Sequence, residues 1–500
     1  MGAVGSGPVL VHVPVDEVDG TGGTSAARTP SAAQRVVRVA GAWAGWRSRR
    51  PWLAVAALVA VVVVLTGALV ATPRLVTAHE RATVLGPAAF DGAIRSASAP
   101  PQVRWTAPVD VMVPPLLVGG TVVVATGAGA DRRALTGLDV VTGAVAWSVP
   151  LGADPVPHEV RCVPVGALLA CALAPGPGRV LARSGSRPEP VQDAALLLLD
   201  PVSGAVLRRA ETPGQVVSLA TAPELGEDVV LASVASERLT IRRLDPRTGE
   251  VRWRAERPSS FPAAATSRVR LALGGGLVVA SAEGSTVVVR AADGSRVPAP
   301  ADASGTDETF LRPDGTLVRT RYRLEHVGVD VRSDLSTGEG APWLTVRGVP
   351  VEPAVSDGSS GLVFASSSLA GGPLTGRVRA YAPGVPNPLW HALTPAREIA
   401  ADVDGRVVLR AAGALVGLDA ATGEAVWRRT FGLGMGSVFS DGRLVVVQRT
   451  TPDEGAVLLA LDLQDGRTRW VADLPAESRA VHRLGAHLYV TTDDTLVALR

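Results

Sequence analysis

From residue 103 onward the chain alternates short apolar runs with turn residues. Val122-Val123-Val124, Val229-Val230-Leu231, Val287-Val288-Val289, Val407-Val408-Leu409 and Leu444-Val445-Val446-Val447 are aliphatic, β-branched segments of strand length. Gly, Asp, Pro and Ser punctuate them, which predicts strands joined by tight turns. Four short strands recurring about every 45 residues are the pattern of a β-propeller blade.

Tryptophan sets the phase. Trp105, Trp147, Trp253, Trp343, Trp390, Trp427 and Trp470 are separated by 42, 106, 90, 47, 37 and 43 residues. The two long gaps are each close to twice the others, as if two repeats lacked their Trp. The residues before each Trp agree. Leu138-Asp139-Val140-Val141-Thr142-Gly143 leads to Trp147, and Leu244-Asp245-Pro246-Arg247-Thr248-Gly249 leads to Trp253. Leu418-Asp419 with Thr422-Gly423 leads to Trp427, and Leu461-Asp462 with Asp465-Gly466 leads to Trp470. Leu199-Asp200 with Ser203-Gly204 has the same turn but Arg208 at the Trp position. Asp334 to Gly338 precedes Trp343 with one extra residue, and Ala292-Asp293-Gly294 and Ala382-Pro383-Gly384 are degenerate copies. An Asp carboxylate accepts hydrogen bonds from the backbone two residues on, and Gly supplies positive φ. The large flat Trp that follows suits packing between neighbouring sheets.

This Leu/Ala-Asp-x-x-Thr-Gly-x-x-x-Trp pattern over 103–500 resembles the repeat of the pyrroloquinoline-quinone-like β-propellers. That superfamily includes quinoprotein alcohol dehydrogenases and a non-enzymatic outer-membrane assembly lipoprotein. The resemblance implies an all-β fold with one propeller over 103–500. Counting degenerate Trp strands near 208 and 297 gives nine repeats, whereas the resembled family mostly has eight blades. Eight blades are expected here, with nine open. The last segment, His487–Arg500, has two strands and no Trp strand, so Val103-Arg104-Trp105 is expected to close the ring and remove its free edges.

Upstream, Trp52 to Thr72 is a 21-residue uncharged run between Pro51 and Pro73. As a helix rising ~1.5 Å per residue it is long enough to span a bilayer. Arg28, Arg35, Arg38, Arg47, Arg49 and Arg50 precede it without an acidic residue. The positive-inside rule then predicts a single-pass cell-membrane protein, with a cytoplasmic N-terminus and an extracytoplasmic propeller. The expected organisation is a disordered cytoplasmic tail at 1–50, a transmembrane signal-anchor helix at 51–73, a linker at 74–102 and the propeller. The lipid bilayer would be a partner through residues 52–72. Cleavage as a signal peptide is the alternative, but the apolar core is too long for one.

Composition narrows the chemistry. The formal charge of +2 argues against a nucleic-acid binder. There is no Lys, and Asn387 is the only Asn. The only cysteines, Cys162 and Cys171, are nine apart in a strand–turn–strand stretch. A hairpin would bring them face to face as a structural disulfide in an oxidising compartment. The resembled dehydrogenases stack their quinone against two adjacent Cys and hold Ca²⁺ with acidic and amide side chains. Neither feature carries over, so no cofactor, metal or catalytic residue is assigned.

The remaining motifs favour bland readings. His12, His79, His158, His326, His391, His482 and His487 form no zinc motif. Gly432-Leu433-Gly434-Met435-Gly436 lacks the Lys of a phosphate loop. The recurring Asp of each turn reads as structural. The expectation is therefore a membrane-anchored extracytoplasmic propeller that binds or scaffolds an unknown protein or cell-envelope ligand. The alternatives are a quinoprotein-like dehydrogenase or other propeller enzyme, and a transmembrane sensor. The Pro-rich stretch 175–190 is the expected specialised surface, and function lives in such loops rather than in the repeat.

Overall fold

The computed structural model describes residues 81–500 except 84, 113, 128–132, 152–157, 176–193, 213–214, 236–237, 259–269, 283–284, 298–307, 326–327, 339–340, 368–375 and 452–454. Among the described residues the strands form nine antiparallel sheets in chain order, eight of four strands and one of three. These are the blades of one propeller. Blade 1 covers 116–150, blade 2 158–212, blade 3 215–258, blade 4 270–290 and blade 5 308–347. Blade 6 covers 349–392, blade 7 396–430 and blade 8 435–473. Blade 9 joins 480–499 to the early strand Val103–Ala107. Val103–Ala107 pairs antiparallel with Leu496–Leu499. The two ends of the described chain thus close one sheet, as the sequence predicted, and no blade-to-blade gap remains at the seam.

The central strands bury residues on both faces, because each blade is sandwiched between two others, while outer strands such as Ala425–Thr430 bury little beyond the Trp. In blade 7, Val407, Leu409, Val416 and Leu418 pack toward Phe364, Val378 and Trp390 of blade 6, while Val408 and Leu415 pack toward Val438 and Val445 of blade 8. This two-sided burial explains why the central strands read as unbroken apolar runs rather than as alternating ones.

Two expectations are corrected. The ring has nine blades, not eight, because the degenerate repeats around Arg208 and Val297 each form a sheet of their own. Their sheets form although the Trp that marks a repeat is absent. The second correction concerns the membrane. No helix among the described residues is long and apolar enough to cross one. The tail at 1–50 and the segment at 51–73 lie outside the described residues. The transmembrane element of the expected fold and the single-pass membrane localisation are withdrawn on that finding.

Candidate functional site

The residues singled out by the repeat form one interlocking device. In blade 1 the Asp139 Oδ1 accepts from the N–H groups of Val141 (3.0 Å) and Thr142 (2.9 Å), and the Gly143 N–H donates to the Asp139 carbonyl (2.8 Å). Asp245, Asp419 and Asp462 accept in the same way from Arg247, Ala421 and Gln464, at 2.7, 3.0 and 2.9 Å. Gly143, Gly249, Gly423 and Gly466 all take positive φ. Just after each turn the outer strand carries a bulge. Trp147 opposes Gly137 while Val145 opposes Leu138, and the same shift recurs before Trp253, Trp427 and Trp470. The bulge turns the indole toward the next blade.

There the indole does two things. Its Nε1–H donates to a turn carbonyl of the neighbour: Trp147 to Pro201 (2.8 Å), Trp253 to Ala291 (2.9 Å), Trp427 to Leu463 (3.0 Å). Its ring covers the neighbour's turn glycine so closely that a Cβ on Gly466 would lie 2.6 Å from the Trp427 ring. The repeat residues are therefore fasteners between blades. Blade 2 keeps the device with a different side chain. Arg208 lies over Gly249, and its NH1 donates to the Arg247 carbonyl at 3.0 Å. The planar guanidinium reproduces both the stacking and the hydrogen bond of the indole. Trp343 does not belong to the set. It is 39% exposed, and Asp334 lies within a strand rather than in a turn, where it pairs with Arg321 at 2.5 Å.

Other candidates are placed as follows. Cys162 and Cys171 are directly opposed on the first two strands of blade 2 and form a disulfide with Cα atoms 4.1 Å apart. His482 and His487 lie on adjacent strands of blade 9 and oppose Tyr489 and Leu484 rather than each other. His482 is half-buried and burial lowers its pKa. His391 is exposed, while His12, His79, His326 and the 175–190 loop beyond Pro175 lie outside the described residues. Gly432–Gly434 is one 3₁₀ turn between blades 7 and 8. Asn387 is exposed in a turn of blade 6. With the cysteines joined and nine residues apart, and the amide on the rim, the residues present do not fit the quinone site of the resembled dehydrogenases. Among the described residues no group of three or more His, Cys, Asp or Glu is placed to hold a metal.

The blade topology gives the ring two faces. One carries the turns between the first and second strands and the Asp-Gly turns between the third and fourth. The other carries the connections between the second and third strands and those between blades. The turn face is partly covered by the chain itself. Residues 86–102, expected as linker, pack against the ring. The Ile94 N–H donates to the Ser440 carbonyl (2.8 Å), the Arg95 N–H to Ala486 (2.7 Å) and the Ala97 N–H to Asp441 Oδ2 (2.7 Å). The Ala97 carbonyl in turn accepts from the Trp470 indole at 2.7 Å. Beside this segment, blade 6 sends an extended turn at 352–362 onto blade 7, with parallel bridges Pro353 to Ile399 and Ser356 to Asp402. Asp402 is buried there. Its Oδ2 accepts from Ser360 Oγ at 2.5 Å, and its Oδ1 has no partner. Burial raises its pKa, the Ser360 hydrogen bond opposes this, and the charge of Asp357 adds to it. Nothing in the sequence pattern marked Asp402, because only the neighbouring blade's insertion buries it.

The opposite face differs. Its described part includes Leu393, 73% exposed, and Leu433, fully exposed, in the connections on either side of blade 7.

Nine blades, six of them fastened to the next by an indole, define a propeller of the pyrroloquinoline-quinone-like class. The family model described as outer membrane protein assembly factor BamB matches residues 176–324 and 374–500. More than half of the chain is matched, and the chain belongs to that family. A solved structure of BamB from Moraxella catarrhalis is 14% identical, covers 80% of this chain and 99% of its own, and superposes with a TM-score of 0.46. A quinohemoprotein alcohol dehydrogenase from Pseudomonas putida HK5 is 11% identical, with 80% and 76% covered and a TM-score of 0.43. Sqt1 from Saccharomyces cerevisiae is 9% identical, with 80% and 99% covered and a TM-score of 0.44. No curated protein matches.

Proposed function

We propose that this chain is a non-enzymatic binding or scaffold module that recognises a partner protein through the connection face. The observation that carries the reading is the segregation of features between the two faces. The exposed Leu393 and Leu433 lie on one face, while the chain's own segment 86–97 and the blade 6 turn cover part of the other. Large exposed aliphatic side chains beside variable-length loops suit a protein partner. Membership of a family described as an assembly factor supports the class of function. Both cysteines are joined across a hairpin, which leaves no adjacent thiol pair for quinone chemistry.

The test is site-specific photo-cross-linking in the full chain. A cross-linker at position 393 or 433 is expected to capture the same protein, and one at Val471, exposed on the outer rim of blade 8, is not. With the cross-linker at position 393, Leu433→Asp is expected to abolish that capture without changing thermal unfolding. Equal capture from position 471 defeats the face assignment. Dye reduction with alcohols or sugars after addition of pyrroloquinoline quinone and Ca²⁺ defeats the non-enzymatic reading.

A further inference from the structure

The turn 352–362 of blade 6 does more than join two strands. Blade 7 makes the same connection with Asp404-Gly405 alone. In blade 6 the chain leaves its own sheet and runs parallel to the first strand of blade 7, Ala396–Val403, along the edge opposite the one that pairs with Arg406–Ala411. The Ala354 N–H donates to the Ile399 carbonyl (2.8 Å), the Asp402 N–H to the Val355 carbonyl (2.9 Å) and the Asp357 N–H to the Asp402 carbonyl (3.2 Å). Val355 is buried in one cluster with Ala93, Ala400 and Val403. The early segment rests on the turn, and a Cβ at Gly92 would come within 1.9 Å of the Ala354 carbonyl oxygen. The tip is free of such contact: among the described residues nothing lies within 4 Å of the Cβ positions of Gly358 and Gly361.

Asp402 is the hub of this contact. Its N–H, its carbonyl and its carboxyl group all engage the turn, and the residue is 3% exposed. Ser360 Oγ donates to Oδ2 at 2.5 Å, while the buried Oδ1 has no partner. An ionised carboxylate offers about four acceptor sites, so one donor leaves its charge poorly compensated. The surrounding elements do not repair this. On the turn, Asp357 is a like charge whose carboxylate accepts from the Ser359 and Asp404 N–H groups (2.8 and 2.9 Å), and Glu352 is tied to Arg312 of blade 5. On the blade 7 hairpin, Asp404 is exposed and Arg406 donates to Gln464 of blade 8 at 3.1 Å. On the early segment, Asp91 is exposed and accepts from the Gly92 N–H, and Arg95 reaches back to Gly86. Blade 8 contributes the apolar Val438 and Val445. Burial favours the neutral acid, the Ser360 hydrogen bond opposes it, and the Asp357 charge favours it again.

We propose that the turn 352–362 is a proton-operated latch, which stays on blade 7 while Asp402 is protonated and lifts when Asp402 ionises, baring the inner edge of Ile399–Asp402. Lifting breaks three backbone hydrogen bonds and exposes Val355, and that cost is the same at every pH. The carboxyl group supplies the part that varies. In the lifted form water solvates it, and it titrates near the ordinary value of about 3.9. In the closed form it titrates higher. Between the two values each pH unit makes lifting about tenfold easier, and above the closed value the effect levels off. The ring itself stays shut, because the early segment keeps its bonds from Ile94 to Ser440 and from Ala97 to Asp441, neither of which involves Asp402. The bared edge presents the Ile399 and Asp402 carbonyls and the Asp402 N–H, the groups that accept an added strand. It lies on the turn face, away from Leu393 and Leu433, so the latch does not depend on the partner reading given for them.

The test is amide hydrogen exchange of the full chain from about pH 4 to pH 8, each rate divided by that of a free peptide of the same sequence. Protection of the Ala354, Asp357 and Asp402 amides is expected to fall about tenfold per pH unit and then level off. Protection in the second strand of blade 7, Arg406–Ala411, should stay constant over the same range. Asp402→Asn, neutral at every pH, should keep the acid level of protection throughout. Two further variants act with opposite signs. Asp357→Asn removes the like charge and should move the levelling-off to lower pH. Ser360→Ala removes the donor that favours the ionised form and should move it to higher pH. Should Asp402→Asn fail to fold, those opposed shifts decide the matter. The latch is overturned if the parent profile is flat, if Asp402→Asn keeps the parent's slope, or if the two other variants shift the profile the same way. It is also overturned if Arg406–Ala411 loses protection in step with the turn, since the whole blade and not a latch would then be opening.

Discussion

The unit of cohesion in this ring is a single side chain seated on a neighbour's glycine. Trp427 is buried, donates to Leu463 and covers Gly466. Trp427→Ala is therefore expected to cost about 3–5 kcal/mol, measured by urea unfolding. Trp427→Phe, which keeps a ring but loses the donor, should cost less. Arg208→Trp tests the substitution that nature made in blade 2. An indole there would replace a charged group by apolar area, and stability is expected to rise by about 1 kcal/mol. A fall would mean that the guanidinium does more than fill the slot. The turn carboxylates set the acid limit. The backbone hydrogen bond from Thr422 holds the Asp419 pKa below its ordinary value, as that from Val202 does for Asp200. Groups with depressed native values stabilise above the unfolded value of about 3.9 and lose that contribution as pH falls through the native value. Stability should be flat near neutrality and drop below about pH 4. Asp402 has the opposite sign. Its raised native value means that its contribution is present below the unfolded value and is lost as pH rises through the native one. Asp402→Asn keeps an oxygen for Ser360 and removes the charge. Its urea midpoint should exceed that of the parent at pH 7, with the difference shrinking toward pH 4.

At the scale of elements, local chemistry was legible and non-local burial was not. The strands, the Asp-Gly turns and the outer-strand Trp are written in neighbouring residues, so Asp139, Gly143 and Trp147 could be read as one motif. The same logic found the hairpin that opposes Cys162 and Cys171. Closing so short a loop stabilises by about 2–3 kcal/mol in the chain-entropy model. Reduction, or Cys162→Ser with Cys171→Ser, is expected to lower the unfolding free energy by that amount without changing the strand content seen by circular dichroism. Trp343 misled because its spacing and the near-copy of the turn from Asp334 to Gly338 placed it in the series, whereas Asp334 is consumed by pairing with Arg321 inside a strand. The repeat count itself gave nine, and the expectation of eight came from the resembled family; a blade needs only a flat group or a buried aliphatic at the Trp position. Arg208 is one case. In blade 5, Leu277 of blade 4 approaches Gly338 where an indole would otherwise lie.

For the whole molecule, the consequence of closure is that stability depends on residues far from the repeats. The strand Val103–Ala107 pairs with Leu496–Leu499, Gln102 and Arg500 exchange backbone hydrogen bonds at 2.9 and 2.8 Å, and the Trp470 indole finds its acceptor on Ala97. Ala93 and Ile94 are buried between the turns of blades 6 to 9. For Trp105, Trp147, Trp253, Trp390 and Trp427 the indole's acceptor lies on the next blade. At the seam the early segment supplies it, so residues 86–107 act as part of blade 9 although hundreds of positions precede it in the chain. A chain of 77–500 is expected to unfold in one transition with the midpoint of the full chain. A chain of 108–500 loses the closing strand, leaves the Leu496–Leu499 edge bare and strands the Trp470 donor. Open edges recruit other chains, so size-exclusion chromatography should find it associated and calorimetry should find its midpoint lowered. Adding a peptide of residues 86–107 should restore the monomer and most of the midpoint. A 108–500 chain that stays monomeric with an unchanged midpoint would show that the ring is held by its blade interfaces alone.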